Sequence, residues 1–192
     1  MLMLVGLAPA CGEDEPHASV PGGTLPKLVL QPEDLPALSR FDVGHITRFD
    51  IRSGQRADPK RFGRIDGWKA DYKRGGNAKT PGPLLVHSQV DLFGSEGGAR
   101  HDLDLYEEEF ERTKASFGDA VELPEVGGLG DEAAALSQLQ AGSPGVRFLT
   151  IAWTSGTLSA SVVVSGFDGR VTLPDALRLA RTQQRHIAAA SG

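Results

Sequence analysis

The chain has 192 residues, a formal net charge of −5 and a single cysteine. Hydrophobic residues make up 40% and charged residues 23%, the composition of a globular body and not of a disordered chain. The acidic balance argues against a general nucleic-acid binder, and one cysteine excludes both an internal disulfide framework and a cysteine-only metal cage.

Residues 1–11 read Met-Leu-Met-Leu-Val-Gly-Leu-Ala-Pro-Ala-Cys, an apolar run ending in small residues and the sole cysteine. A membrane-spanning helix needs ~20 apolar residues, about twice this run, whereas a secretory signal needs an apolar core of only ~7–15 and small residues at the cut. The junction between Ala10 and Cys11 resembles the lipobox of bacterial lipoproteins, Leu-small-small-Cys. It departs from that box in two places: Leu7 stands four residues before Cys11, with Ala8 in the usual leucine position, and no Lys or Arg precedes Lys27. The resemblance implies cleavage after Ala10, diacylation of the Cys11 sulfur and attachment to a membrane outside the cytoplasm. The alternative is an apolar N-terminus with an incidental cysteine. Residues 11–26 are short, acidic and turn-rich, the composition of a flexible tether. The expected organisation is a signal segment at 1–10, a tether at 11–26 and one folded domain at 27–192.

Residues 27–30 are apolar, and 31–38 fit a single helical turn with Glu33 and Asp34 near its start. A loose alternation predicts a strand at 41–51, and residues 52–63 form a basic surface loop. Residues 64–74 predict a strand with Trp68, Ala70 and Tyr72 on one face, and 84–93 a second strand in which Leu84, Val86, Val90 and Leu92 alternate with Leu85, His87, Gln89 and Asp91. That alternation predicts a sheet with one face on a core. The period then changes. Ala99, Leu103, Tyr106, Phe110 and Phe117 form a helical apolar stripe, and Gly118 is a natural stop. Residues 121–130 are a Pro/Gly loop, and 132–139 re-enter as a strand in spite of their alanines. Residues 146–153 and 157–165 are strands joined by a loop of Thr154, Ser155 and Gly156. Thr172 is placed to cap a last helix, with Pro174 and Asp175 in its first turn. The predicted fold class is α+β: an antiparallel sheet of about five or six strands with two main helices packed on it, in the manner of an α/β/α sandwich.

The segment with Gly67 and Trp68, the loop Leu129-Gly-Asp-Glu-Ala133, the hairpin Ala152-Trp-Thr-Ser-Gly-Thr157 and the closing Leu179-Ala-Arg181 carry a further likeness. Over about two thirds of the chain they resemble the extracellular sensor domains of some mycobacterial serine/threonine kinases and envelope lipoproteins with the PsbP-like sandwich. The resemblance implies a non-enzymatic binding or sensing role at the cell surface and transfers no functional residue.

Catalytic and metal patterns are missing. His17, His45, His87, His101 and His186 form none of HxH, HxxxH or HExxH, so zinc-ligand spacing is absent. His87, on the side of its strand with Gln89 and Asp91, is expected in solvent. His101 with Asp102 and Asp104 could gather a cation, but acids near a helix start are explained by the helix dipole. The glycines before Asp131 and Glu132 lack the Lys-Ser/Thr of a phosphate loop and read as a tight turn, with a binding loop at Asp131 as the alternative. GxSxG is absent. The basic residues Arg52, Arg56, Lys60, Arg61 and Arg64 read as solvated loop charge or a dock for an anionic polymer or headgroup. Trp68, Tyr72, Trp153 and Phe148 are core formers first; a cleft beside the 99–117 helix would be lined by them and would take a small apolar ligand.

No cofactor motif is present. The expected function is that of a non-enzymatic envelope lipoprotein, held to the membrane at Cys11, whose body binds an unidentified small ligand or envelope protein, with Trp68, Tyr72, Trp153 and Asp131 as candidate ligand residues. The alternatives are an accessory subunit of an envelope complex and a small hydrolase.

Overall fold

The computed structural model describes residues 22–45 and 63–191. Cys11, His17 and the loop cations Arg52, Arg56, Lys60 and Arg61 lie outside the described residues, as does the expected strand beyond His45.

The elements follow in the order α1 (Leu25–Leu28), β1 (Ser39–His45), β2 (Arg64–Lys73), β3 (Leu85–Phe93), α2 (Glu96–Phe117), β4 (Val121–Glu122), β5 (Ala133–Gln140), β6 (Val146–Ser155), β7 (Leu158–Phe167) and α3 (Leu173–Ser191). The seven strands among the described residues join one sheet in the order β1-β2-β3-β7-β6-β5-β4, and their pairings are antiparallel. The fold is α+β, with one strand more than expected because the loop at 121–130 begins with the two-residue β4. The expected helical turn at 31–38 is a short 3-10 turn, Pro32–Asp34, closed by a capping box between Gln31 and Asp34.

The sheet is covered on both faces, as an α/β/α arrangement requires, although the alternation at 84–93 by itself predicts only one face on a core. On one side α1 and α3 lie over Tyr72, Val86, Val90, Ile151, Trp153 and Val162, together with further buried residues of the main core. On the other, α2 lies over a smaller core of Leu103, Tyr106, Phe110, Val121, Leu136 and Ala152. This corrects two expectations. Phe117, the last residue of the predicted stripe, is 59% exposed. Gln89 and Asp91, read as facing solvent, are buried under α2. Leu25 is also fully buried, so packed structure begins two residues before the expected boundary at 27.

Local chemistry sets the ends. Ser95 caps α2 by accepting a hydrogen bond from the Gly98 backbone N–H at 3.1 Å, three residues before Gly98 and Ala99 bury themselves. The helix stops at Gly118, whose φ of 55° suits a residue without Cβ. Thr172 and Asp175 exchange hydrogen bonds at the start of α3, the Thr172 N–H donating to the Asp175 carboxylate at 3.0 Å. The β6–β7 connection is the two-residue turn Gly156–Thr157, since Ser155 pairs directly with Leu158; the loop expected at 154–156 is one residue further on and shorter.

Candidate functional site

Strand alternation places Trp68, Tyr72 and Trp153 on the face under α1 and α3, and Phe148 on the α2 face. Tyr72 and Trp153 are wholly buried. The Tyr72 hydroxyl donates to the Leu30 carbonyl at 2.6 Å, and Trp153 Nε1 donates to Gln184 Oε1 at 2.6 Å. Trp68 is half-buried and packs against the same core. The three aromatics therefore share the face under α1 and α3 and are not lining beside α2; Tyr72 and Trp153 are core anchors, and contact of a ligand with either would require that helical layer to move. A buried polar relay holds the layer. The Leu30 N–H donates to Ser88 Oγ at 2.9 Å, Ser88 Oγ donates to Gln183 Oε1 at 2.7 Å, and Gln183 Nε2 donates to the Gln89 carbonyl at 2.8 Å.

Asp131 is bound to the hairpin. Its backbone N–H donates to the Thr154 carbonyl at 2.9 Å, and its carboxylate accepts from the Gly156 N–H at 2.7 Å. Gly130, with φ of 51°, approaches the Thr154 carbonyl so closely that a Cβ would overlap it. The glycine loop clamps the turn of β6 and β7, which agrees with the tight-turn reading of this segment.

The feature that sequence reasoning missed is a charged seam on the α2 side of β2 and β3. Arg64 and Asp91 form an ion pair at 2.5 Å with side chains only 5% and 3% exposed. Gln89 Nε2 donates to the other Asp91 oxygen. Gln89 Oε1 faces His87 Nε2 at 3.2 Å, and His87 Nδ1 faces Asp71 at 2.5 Å. Lys69 lies 3.8 Å from Asp71 and 2.7 Å from Asp42 on β1. Arg64 thus belongs to the sheet and not to the solvated loop, and His87 is partly buried, not free in solvent. Deeper under α2, Asp102 accepts from Ser159 Oγ at 2.7 Å and the Tyr106 hydroxyl donates to Ser161 at 3.0 Å. One signal was readable: Gly67 interrupts a strand of large residues, and a side chain there would occupy the space taken by the Arg64 and Asp91 side chains.

Chemically the seam is a network of paired charges and hydrogen bonds. Both His87 ring nitrogens face acceptors on Asp71 and Gln89, an arrangement that leaves neither to activate a hydroxyl. Asp102 turns into the sheet while His101 and Asp104 face each other outside at 3.1 Å, so that trio does not converge on a cation. Asp104, Leu105, Glu107, Glu108 and Glu111 line an open groove of 760 Å³ along the outer side of α2, where Arg100 pairs with Asp104 and Glu107 and Arg112 with Glu108. No helix among the described residues is long and apolar enough to cross a membrane.

No family model matches the chain, and no curated protein matches it. Among solved structures it is similar to the extracellular domain of PknH from Mycobacterium tuberculosis, at 13% identity, over 90% of this chain and 99% of that one, with a TM-score of 0.64. At that identity the likeness is one of fold.

Proposed function

We propose that the chain is a non-enzymatic module of the bacterial cell envelope, held outside the cytoplasm by a lipid on Cys11, that binds a ligand or a protein partner in the manner of a sensor domain. The observation that carries this reading is the fold likeness to a kinase extracellular domain across nearly the whole chain. The position of the only cysteine, directly after an apolar run and Ala10, supports the anchor.

Native mass spectrometry of the tagless chain purified from a bacterial envelope fraction tests the binding function. The expected result is a stoichiometric small-molecule adduct or a defined complex with an envelope protein. Turnover of ester, peptide or glycoside substrates that survives repurification and disappears in a His87→Ala variant would contradict it.

A further inference from the structure

The two helical layers differ in charge. α2 carries seven acids against three Lys or Arg, a net −4 with histidine neutral. α3 carries Asp175 against Arg178, Arg181 and Arg185, a net +2. At about 100° per residue, the three arginines centre about half a turn from Ala176, Ala180, Gln183 and Ile187, the residues that α3 buries against the sheet. All three are exposed, so the stripe points straight away from the molecule. The one acid on the helix, Asp175, is engaged with Thr172 at its first turn and its other oxygen lies 3.8 Å from Arg178, an exposed pair of little strength, so Arg181 and Arg185 face no acid of their own helix. The neighbouring α1 adds the exposed Lys27, and the acids beside it are Glu33 and Asp34, of which Asp34 is taken by the Gln31 N–H at 2.7 Å and by His186 at 3.6 Å.

The chain also enters the fold on this side. α1 packs against α3, and His186 on α3 faces the Val29 carbonyl at 3.2 Å. Ten residues separate Cys11 from Gly22, a reach of at most roughly 40 Å. A lipid on Cys11 would therefore hold the α1–α3 layer close to the bilayer.

Resting on that anchor reading, we propose that the outer face of α3 is the membrane-facing surface of the protein, docking on anionic lipid headgroups through Arg178, Arg181 and Arg185. The lipid surface attracts this layer and repels the acidic α2 layer, so a single anchor fixes the orientation of the body. α2 and its groove then face away from the membrane.

Arginine footprinting of the full chain tests this. Cys11, the only thiol, is coupled to a maleimide lipid in vesicles of phosphatidylglycerol or of phosphatidylcholine, and phenylglyoxal modification is read by mass spectrometry. Each basic residue near an anionic surface contributes about fivefold to binding. Arg178, Arg181 and Arg185 are therefore expected to react at least about fivefold more slowly on phosphatidylglycerol, with the protection lost at about 1 M salt and Arg100 and Arg112 unaffected. A triple variant, R178Q/R181Q/R185Q, should lose the salt-sensitive protection of Lys27 as read by amine labelling. Equal rates for the three arginines on the two vesicle types would overturn the proposal. Stronger protection by a soluble anionic polysaccharide than by phosphatidylglycerol would overturn it in favour of a polymer partner. Because the maleimide supplies the attachment, the outcome does not depend on acylation in cells, which palmitate labelling reads separately.

Discussion

Gly130 occupies a position that no other residue fills at ordinary cost. Its φ is 51° and its missing Cβ leaves room for the Thr154 carbonyl. Gly130→Ala is expected to lower unfolding free energy by about 2–3 kcal/mol, the scale of a strained backbone together with a local overlap, and a denaturant melt measures it; a loss below about 0.5 kcal/mol would contradict the clamp. The same loop shows what single residues disclose in advance. Gly-Gly-Leu-Gly before Asp131 spells a turn, but nothing in it says that the Asp131 carboxylate holds the N–H of Gly156, because that residue lies 25 positions on. Tyr72 makes a second residue-scale prediction. Burial raises the pKa of its hydroxyl above the ordinary 10.0, while Arg40 pulls the other way. The phenolate is disfavoured in the folded chain, so above pH ~10 the unfolded state loses its proton first and stability falls as pH rises. Tyr72→Phe should flatten that alkaline decline and cost about 1 kcal/mol at neutral pH through the lost bond to the Leu30 carbonyl. Unfolding curves with the same alkaline slope for both chains would refute the assignment.

Among elements, period decides most of what can be read early. The change from alternation to a four-three-four spacing near Ala99 locates α2, and the two β-branched and aromatic runs at 146–153 and 157–165 locate β6 and β7. The start of α2 is harder to see because Gly97 and Gly98 look like breakers, yet Ser95 and Glu96 supply a cap and an acidic first turn. The inner face of β3 is hardest. His87, Gln89 and Asp91 look like a solvated face because polarity is local, whereas their burial depends on Arg64 from β2 and on α2 arriving above them. Asp91→Asn alone is expected to cost about 3–5 kcal/mol by leaving Arg64 buried without its counter-charge, and the pair Arg64→Met with Asp91→Leu to cost much less than the sum of the single changes. Chemical denaturation of the wild-type chain, Arg64→Met, Asp91→Leu and the double variant closes the cycle. Additive losses would show that the two groups do not act as a pair.

The whole molecule is a sheet sealed on both faces, with its main core on the α1–α3 side and a charged seam on the other. The α+β class follows from element order, and the fold likeness to the PknH extracellular domain extends it to the arrangement of layers. The site is less legible than the fold. Candidate ligand residues picked as strand aromatics are the residues that a core takes first, and Tyr72 and Trp153 serve that core. The lone cysteine after Ala10 is the strongest functional signal in the chain, and it depends on chemistry that a peptidase and acyl transferases would perform. Metabolic labelling with palmitate in a bacterial host, followed by separation of membrane and soluble fractions, tests that point most directly. The wild-type chain should carry label and sediment with membranes while Cys11→Ala is unlabelled and soluble; equal labelling of the two, or an unlabelled wild-type chain left whole in the cytoplasm, would contradict the account.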